Sequence, residues 1–247
     1  MKIPRSTIGI FCVLLLSACG SGGGGGDGAP AGGLGGVPGA AAEQSFPLRA
    51  AFTELYKAGL DKDFTVSGIC TGTAKLTQAP ANVDTTFELQ PSFSAKQTQT
   101  LQLSNCPSPP PRNTTFYYDK AYAPLGDDRT SGFYSVFEKP QGVATSAPMP
   151  EFGKVGELGN VGTLTNYDDN NKAKVCCRTT RDFVIAGDPA SSASAIVTVI
   201  ESTRNGTVLT NTETYRYRVG LTGAATLLSI DSQIGTDPNN HLRLDSL

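Results

Sequence analysis

Apolar and polar residues alternate with period two along most of this chain. The longest alternation covers residues 64–77. Phe64, Val66, Gly68, Cys70, Gly72, Ala74 and Leu76 fall on one face, with Thr65, Ser67, Ile69, Thr71, Thr73, Lys75 and Thr77 on the other. Period two is the signature of a half-buried strand, and fourteen residues extend roughly 45 Å. A strand of that length bends, and Gly68 and Gly72 on its inner face let it coil around a core. Segments 85–89, 97–104, 114–118, 132–139, 161–167 and 181–186 repeat the pattern. Pro91, the proline cluster at 107–111 and the proline- and glycine-rich stretch 140–160 interrupt them. Asn205-Gly206 is the strongest hairpin signal, because a two-residue type I′ turn needs positive φ at both positions. That turn joins strands 195–204 and 207–219 and pairs Thr203 with Val208, Ile200 with Asn211 and Ile196 with Tyr215. One face then carries Ile196, Ile200, Leu209, Tyr215 and Tyr217; the other carries Val197, Val199, Val208, Arg216 and Arg218. Segment 224–234 reads as the last strand.

One stretch departs from this period. Leu48, Ala51, Phe52, Leu55 and Tyr56 recur at i, i+3, i+4, i+7 and i+8, the apolar stripe of a helix. Ser45 is placed to cap it, Pro47 suits its first turn and Gly59 closes it. Nine or ten short strands behind one helix predict a mainly β fold, an antiparallel β-sandwich or (half-)barrel with the N-terminal helix packed on it. A single β-rich domain is expected over 41–235. The tail 236–247 contains Asp-Pro-Asn-Asn and little apolar pattern, and disorder is expected there.

The N-terminus carries a different kind of message. Lys2 and Arg5 precede an apolar run at 8–16, about half of what a membrane-spanning helix needs. Leu16-Ser17-Ala18-Cys19 follows, a small-residue cleavage site behind a short hydrophobic region, as in a secretory signal peptide. This ending resembles the lipobox of bacterial lipoproteins. The resemblance implies that residues 1–18 are a lipoprotein signal peptide, and that Cys19 carries a diacylglycerol on sulfur and a fatty acid such as palmitate on its amine. Several chains of this kind give stable membrane attachment where one does not. Gly20, rather than Asp, follows the cysteine, which in that class implies the outer membrane. Twelve of the twenty residues from 20 to 39 are glycine, a segment that buries nothing and stays flexible. The linker 19–40 is therefore a tether, spanning roughly 25 Å on average as a coil. Leader, tether and threonine-rich β domain together resemble β-rich envelope lipoproteins of Gram-negative bacteria.

Charge narrows the choice of partners. Loss of Lys2 and Arg5 with the leader leaves 18 basic residues against 22 acidic, a net charge near −4. No basic run interleaved with aromatics is present, so nucleic-acid binding has no electrostatic basis. The membrane is reached through the acyl chains on Cys19.

Without Cys12 of the leader and Cys19, four cysteines remain: Cys70, Cys106, Cys176 and Cys177. In an exported chain these raise a disulfide question with three possible pairings. Cys70–Cys106 is the favoured one, which leaves the adjacent Cys176 and Cys177 with an open redox state. Neighbours on an extended strand point to opposite faces, and a bond between them demands a tight ring. Zinc spacing is missing, and no metal or cofactor is expected. The sole histidine, His241, lies in the tail, so a Ser-His-Asp or Cys-His arrangement has no positioned base and no catalytic residue is assigned. Glu138, Glu151, Glu201 and Glu213 remain candidates for a hydrolytic carboxylate pair. Asp168-Asp169-Asn170-Asn171 and Asp127-Asp128 read as turns, with calcium the sharper alternative. The aromatic-rich middle, Tyr117, Tyr118, Tyr122, Phe133 and Tyr134, reads as core or sheet-face packing. The expected function is a non-enzymatic, outer-membrane-anchored envelope lipoprotein that binds or scaffolds another envelope component. A carrier of lipid or another apolar ligand in a half-barrel cavity is the alternative, and a surface hydrolase the third reading.

Overall fold

The structure, a computed structural model, describes residues 44–138 and 149–247. The leader, the tether and Cys19 lie outside the described residues. The elements in chain order are β1 (Ser45–Phe46), α1 (Leu48–Ala58), β2 (Leu60–Gly68), β3 (Gly72–Gln78), β4 (Val83–Phe87), β5 (Gln90–Leu103), β6 (Arg112–Tyr118) and β7 (Pro124–Arg129). They continue with β8 (Tyr134–Glu138), β9 (Gly153–Lys154), β10 (Leu158–Tyr167), β11 (Val175–Gly187), β12 (Ser194–Asn205), β13 (Val208–Gly220), β14 (Ala225–Ile234) and β15 (His241–Ser246).

Twelve of these strands form one antiparallel ring, in the order β3-β2-β15-β14-β13-β12-β11-β10-β8-β7-β6-β5. Pairing of β3 with β5, from Gly72↔Leu103 to Gln78↔Gln97, closes it. The fold is thus mainly β, and of the expected architectures it is the barrel. β4 stands outside the ring, paired to the first part of β5. Its Phe87 stacks on the outward-facing Tyr117 and Tyr134, with ring centroids 4.4 Å and 5.4 Å away.

The helix lies across one end of the bore. Leu48 and Ala51 are fully buried, and Phe52 nearly so, among Ile185, Val197, Val199 and Val219 of β11, β12 and β13. On the other side Tyr56 packs on Tyr118 of β6, 4.6 Å between centroids. β6 and β13 are six places apart in either direction round the ring, so α1 touches diametrically opposite walls. Gly59, at φ +75°, ends the helix by donating its N–H to Leu55 O, and β2 begins at once. The predicted cap is not formed: Ser45 pairs with Lys154 in the β1–β9 ladder, and Pro47 precedes the first turn.

Three expectations are corrected. Residues 64–77 are two strands, not one, joined by a turn at Ile69, Cys70 and Thr71. Gly68 (φ +106°) and Gly72 (φ +151°) flank it in conformations that L side chains rarely adopt, and a Cβ on Gly72 would stand 2.0 Å from Gln102 O. Paired residue numbers across this hairpin sum to an even value (Val66↔Gly72, Phe64↔Ala74), so even positions face inward on both strands. The alternation therefore runs through the turn unbroken.

The tail expected to be disordered is β15, which pairs with β14 and β2 and completes the wall. Its inward residues, Leu242 and Leu244, are too few to register as a pattern, and Asp-Pro-Asn-Asn forms the loop before it.

The β12–β13 hairpin turns one residue later than expected, through Gly206 and Thr207, so that Asn205 pairs with Val208. A register shift then follows at Thr203↔Asn211 and Arg204↔Leu209. Ile200 consequently faces Thr214, and Ile196 faces Arg218. This odd offset puts Val197 and Val199, not Ile196 and Ile200, on the face of Tyr215 and Tyr217.

On the arc formed by β2, β3, β13, β14 and β15 the outer face carries charged side chains. Asp61, Asp63 and Lys75 project from β2 and β3, where Lys75 Nζ lies 2.8 Å from Asp61. Arg216, Asp231 and Arg243 occupy the corresponding face of β13, β14 and β15.

Candidate binding site in the barrel bore

The two ends of the bore differ in chemistry. At the end crossed by α1, inward side chains such as Phe64, Ile185, Val197 and Val219 are at most 1% exposed. Towards the other end the inward positions turn polar. Arg181 on β11 continues the inward row of Phe183 and Ile185. Glu201 on β12 continues Val199 and Val197, and Glu213 on β13 continues Tyr215 and Tyr217. Asp127 and Arg129 on β7, Asn166 on β10, Thr179 on β11 and Thr203 on β12 complete the polar arc. The Arg181 and Glu201 side chains here remain 20% and 18% exposed, against at most 1% at the helix end. Twelve strands enclose a wider interior than eight, whose bore side chains alone would fill, and this width accommodates the helix.

The groups are closely interlocked. Arg181 pairs with Glu201 on the adjacent strand. Arg129 Nε donates to Asp127 Oδ1 at 2.8 Å. Tyr215 donates its hydroxyl to Glu213 Oε2 at 2.5 Å, and Asn211 Nδ2 lies 3.5 Å from the other carboxylate oxygen. Among the described residues no basic side chain lies within 4.0 Å of Glu213. Nearer the mouth, Asn166 Nδ2 donates to Thr179 Oγ1 at 2.9 Å, and the Thr179 and Thr203 hydroxyls meet at 2.8 Å.

Burial opposes the charge on Arg181, but the fields of Glu201 and Tyr56 and the Glu201 hydrogen bond outweigh it, and its pKa stays above the ordinary arginine value. Arg129 behaves alike: burial works against it, Asp127 overcomes the penalty, and Glu213 adds to the pull. Burial raises the phenols of Tyr56, Tyr118, Tyr215 and Tyr217 above the usual range. Glu213 adds to this for Tyr215. The floor of the lumen is thus made of neutral hydroxyl donors beside fixed charges.

Of the four glutamates singled out by sequence, the bore brings Glu201 and Glu213 together as direct cross-strand partners. Glu138 is on the outer face, bonded to Thr165, and Glu151 is an exposed loop residue. His241 is also outside, 3.2 Å from Asp231. Asp127 and Asp128 belong to strand β7, correcting the turn reading, while Asp168–Asn171 does form the turn between β10 and β11. No cluster of three or more histidine, cysteine or acidic side chains suited to a metal occurs among the described residues. Arg129 and Arg181 were not singled out from the sequence. Arg181 carried a signal, a charge in phase with the buried Phe183 and Ile185, whereas Arg129 sits between Asp127 and Ser131 and carried none.

Cys70 and Cys106 are bonded, with their Cα atoms 5.8 Å apart, and tie the β2–β3 turn to the segment after β5 at the mouth. Cys176 and Cys177 lie at the same end, half-buried, with sulfurs 2.6 Å apart. The N-terminal strand and helix sit at the opposite, closed end. A groove of about 810 Å³ between the β12–β13 turn and the β14–β15 loop borders the mouth, lined by Arg204, Val208, Ile234 and Asp237. No protein-family model, curated protein or solved structure matches this chain.

Proposed function

We propose that this chain is an outer-membrane-anchored envelope lipoprotein, held by acyl chains on Cys19, whose barrel is a non-enzymatic binding module for a small polar solute. The observation that carries this reading is the blind-ended bore. It is crossed by α1 at one end and lined at the other by charged and hydroxyl side chains, of which Arg181 and Glu201 are partly exposed. Paired charges and neutral phenols offer both donors and acceptors without a dominant sign, which suits a polar ligand of low net charge.

The apolar-carrier reading loses its main support, because the space between helix and wall is filled by Leu48, Phe52, Ile185 and Val197. The groove at the outer helix–β14 seam holds about 370 Å³ and has Glu54, Asp61 and Lys62 on its rim. The hydrolase reading keeps one observation, the Glu201–Glu213 pair. Both carboxylates already have partners, Arg181 on Glu201 and Tyr215 and Asn211 on Glu213, so neither stands ready as a general acid or base.

Native mass spectrometry of the Cys19→Ser chain, exported to a bacterial periplasm and purified without detergent, tests the proposal. A polar small-molecule adduct, lost on denaturation and lost in a folded Glu213→Gln variant, is the expected result. An adduct of lipid mass, or a bare polypeptide even after incubation with periplasmic extract, overturns it.

A further inference from the structure

An unbroken strand sends adjacent side chains to opposite faces, yet Cys176 and Cys177 hold their sulfurs 2.6 Å apart. The cause is a β-bulge. Asn166 pairs with Cys177 and Tyr167 with Val175, so the β10–β11 register shifts by one residue at Cys176. A bulge interrupts the alternation and bends the strand, which brings the two thiols together. A vicinal bond closes a ring of eight atoms, which two side chains sent to opposite faces of a regular strand cannot do, so it needs a local departure such as this bulge. Both residues are half-buried at the mouth, within reach of a partner from solution. Lys174, paired with Asp168 at 2.9 Å, stands two residues before Cys176, and Arg178, 3.6 Å from Glu138, follows Cys177, so the charged groups flanking the thiols are held in ion pairs.

We propose that Cys176 and Cys177 form a vicinal disulfide, a second covalent clasp at the mouth of the bore beside Cys70–Cys106. The inference rests on the reading of the chain as exported. The bond forms by exchange with a disulfide of an oxidised dithiol protein. One thiolate attacks that disulfide and expels a thiolate, giving a mixed disulfide. The neighbouring cysteine then displaces the partner's second sulfur. Two electrons and two protons pass to the partner, which leaves as a dithiol, and the Cys176–Cys177 bond is complete. Closure fixes the bulge, and with it the start of β11 next to the 168–174 loop. Cys177, on the inward register of Thr179 and Asn166, is thereby held at the entrance to the polar lumen.

The test traps thiols with a maleimide in intact cells expressing the full chain, followed by digestion and peptide mapping without reductant. The peptide containing residues 176 and 177 is expected unlabelled and two hydrogens lighter than the dithiol, and it becomes doubly labelled after reduction. Two maleimides on that peptide beside a linked Cys70–Cys106 pair overturn the proposal and leave the export reading standing. Labelling of all four cysteines overturns both. A cross-link from Cys176 or Cys177 to Cys70 or Cys106 also overturns it, in favour of a different pairing.

Discussion

Glu201 and Glu213 stand directly opposite each other on β12 and β13, both facing the bore. Like charges at this register repel. The surroundings compensate unevenly: Arg181 forms an ion pair with Glu201, whereas Glu213 receives hydrogen bonds from neutral groups, Tyr215 and Asn211. Arg181 is thus the one side chain whose loss leaves two uncompensated carboxylates in a confined space. Arg181→Met is expected to destabilise the barrel by about 2–4 kcal/mol, below the full cost of breaking a dry ion pair because both partners are partly solvated. Urea denaturation measures this. Adding Glu201→Gln to the same chain should restore part of the loss, and a double variant less stable than Arg181→Met alone would count against the account.

The helix acts as a strut across the barrel. Phe52 meets Tyr217 edge-on at 5.0 Å, and one turn later Tyr56 meets Tyr118 on the opposite wall. Phe52→Ala removes one foot of the strut from a buried site, and a loss of about 3–5 kcal/mol is expected. Glu54→Ala, on the exposed face of the same helix, should change stability by no more than about 0.5 kcal/mol. Equal effects of the two in thermal and urea unfolding would mean that α1 is an appendage and not part of the core.

Alkaline pH should open the barrel through its phenols. Burial raises the folded-state pKa of Tyr56, Tyr118, Tyr215 and Tyr217 above the value of about 10 for an exposed phenol. The folded state therefore holds these protons after the unfolded chain has released them. Their contribution to stability is complete below about pH 10 and declines as pH rises from there towards the folded-state values. Phenolate absorbance and near-ultraviolet dichroism, followed together, should show these tyrosines ionising only as tertiary structure is lost. Early, non-cooperative ionisation of all eight tyrosines would contradict their burial.

Lipid attachment is separable from the fold. Cys19→Ser should abolish incorporation of labelled palmitate and release the chain from the membrane fraction. Its melting temperature should not change, since Cys19 lies outside the described barrel. Retention of label by the variant would remove the anchor from the proposed function.

Much of the wall was legible because period two survives wherever one face of a strand is buried. The segments read at 114–118, 161–167 and 224–234 lie within or overlap β6, β10 and β14. The helical stripe at Leu48, Ala51 and Phe52 is the buried face of α1. What escaped has local causes. The turn between β2 and β3 preserves inward parity, so alternation alone could not reveal it. β7 carries Asp127 and Arg129 inward, which a hydropathy reading scores as a polar turn. The bore is where this pattern fails most, because its inward positions are polar by construction. A functional lumen and an exposed loop look alike until the closed ring assigns the faces.

The C-terminal segment gives the sharpest test of that ring. Leu242 and Leu244 are the apolar side chains that β15 turns inward, yet the strand pairs along one edge with β14 and along the other with β2. Without it the two neighbouring strands lose their partners, and Val66, Ile230 and Leu227 of the adjoining apolar cluster face solvent. Unpaired edges of this kind also invite strand addition from other chains. Truncation after Gly235 is therefore expected to cost far more than two leucines would suggest. The chain should lose cooperative unfolding and accumulate as oligomers or aggregate, as read by size-exclusion chromatography and thermal melts. Substituting both leucines by alanine in the full chain isolates the packing term, since the strand pairing is kept. That variant should remain folded and monomeric, at a cost of about 4–8 kcal/mol if the two sites are additive. A truncated chain that melts cooperatively as a monomer would mean that the barrel does not need β15 to close.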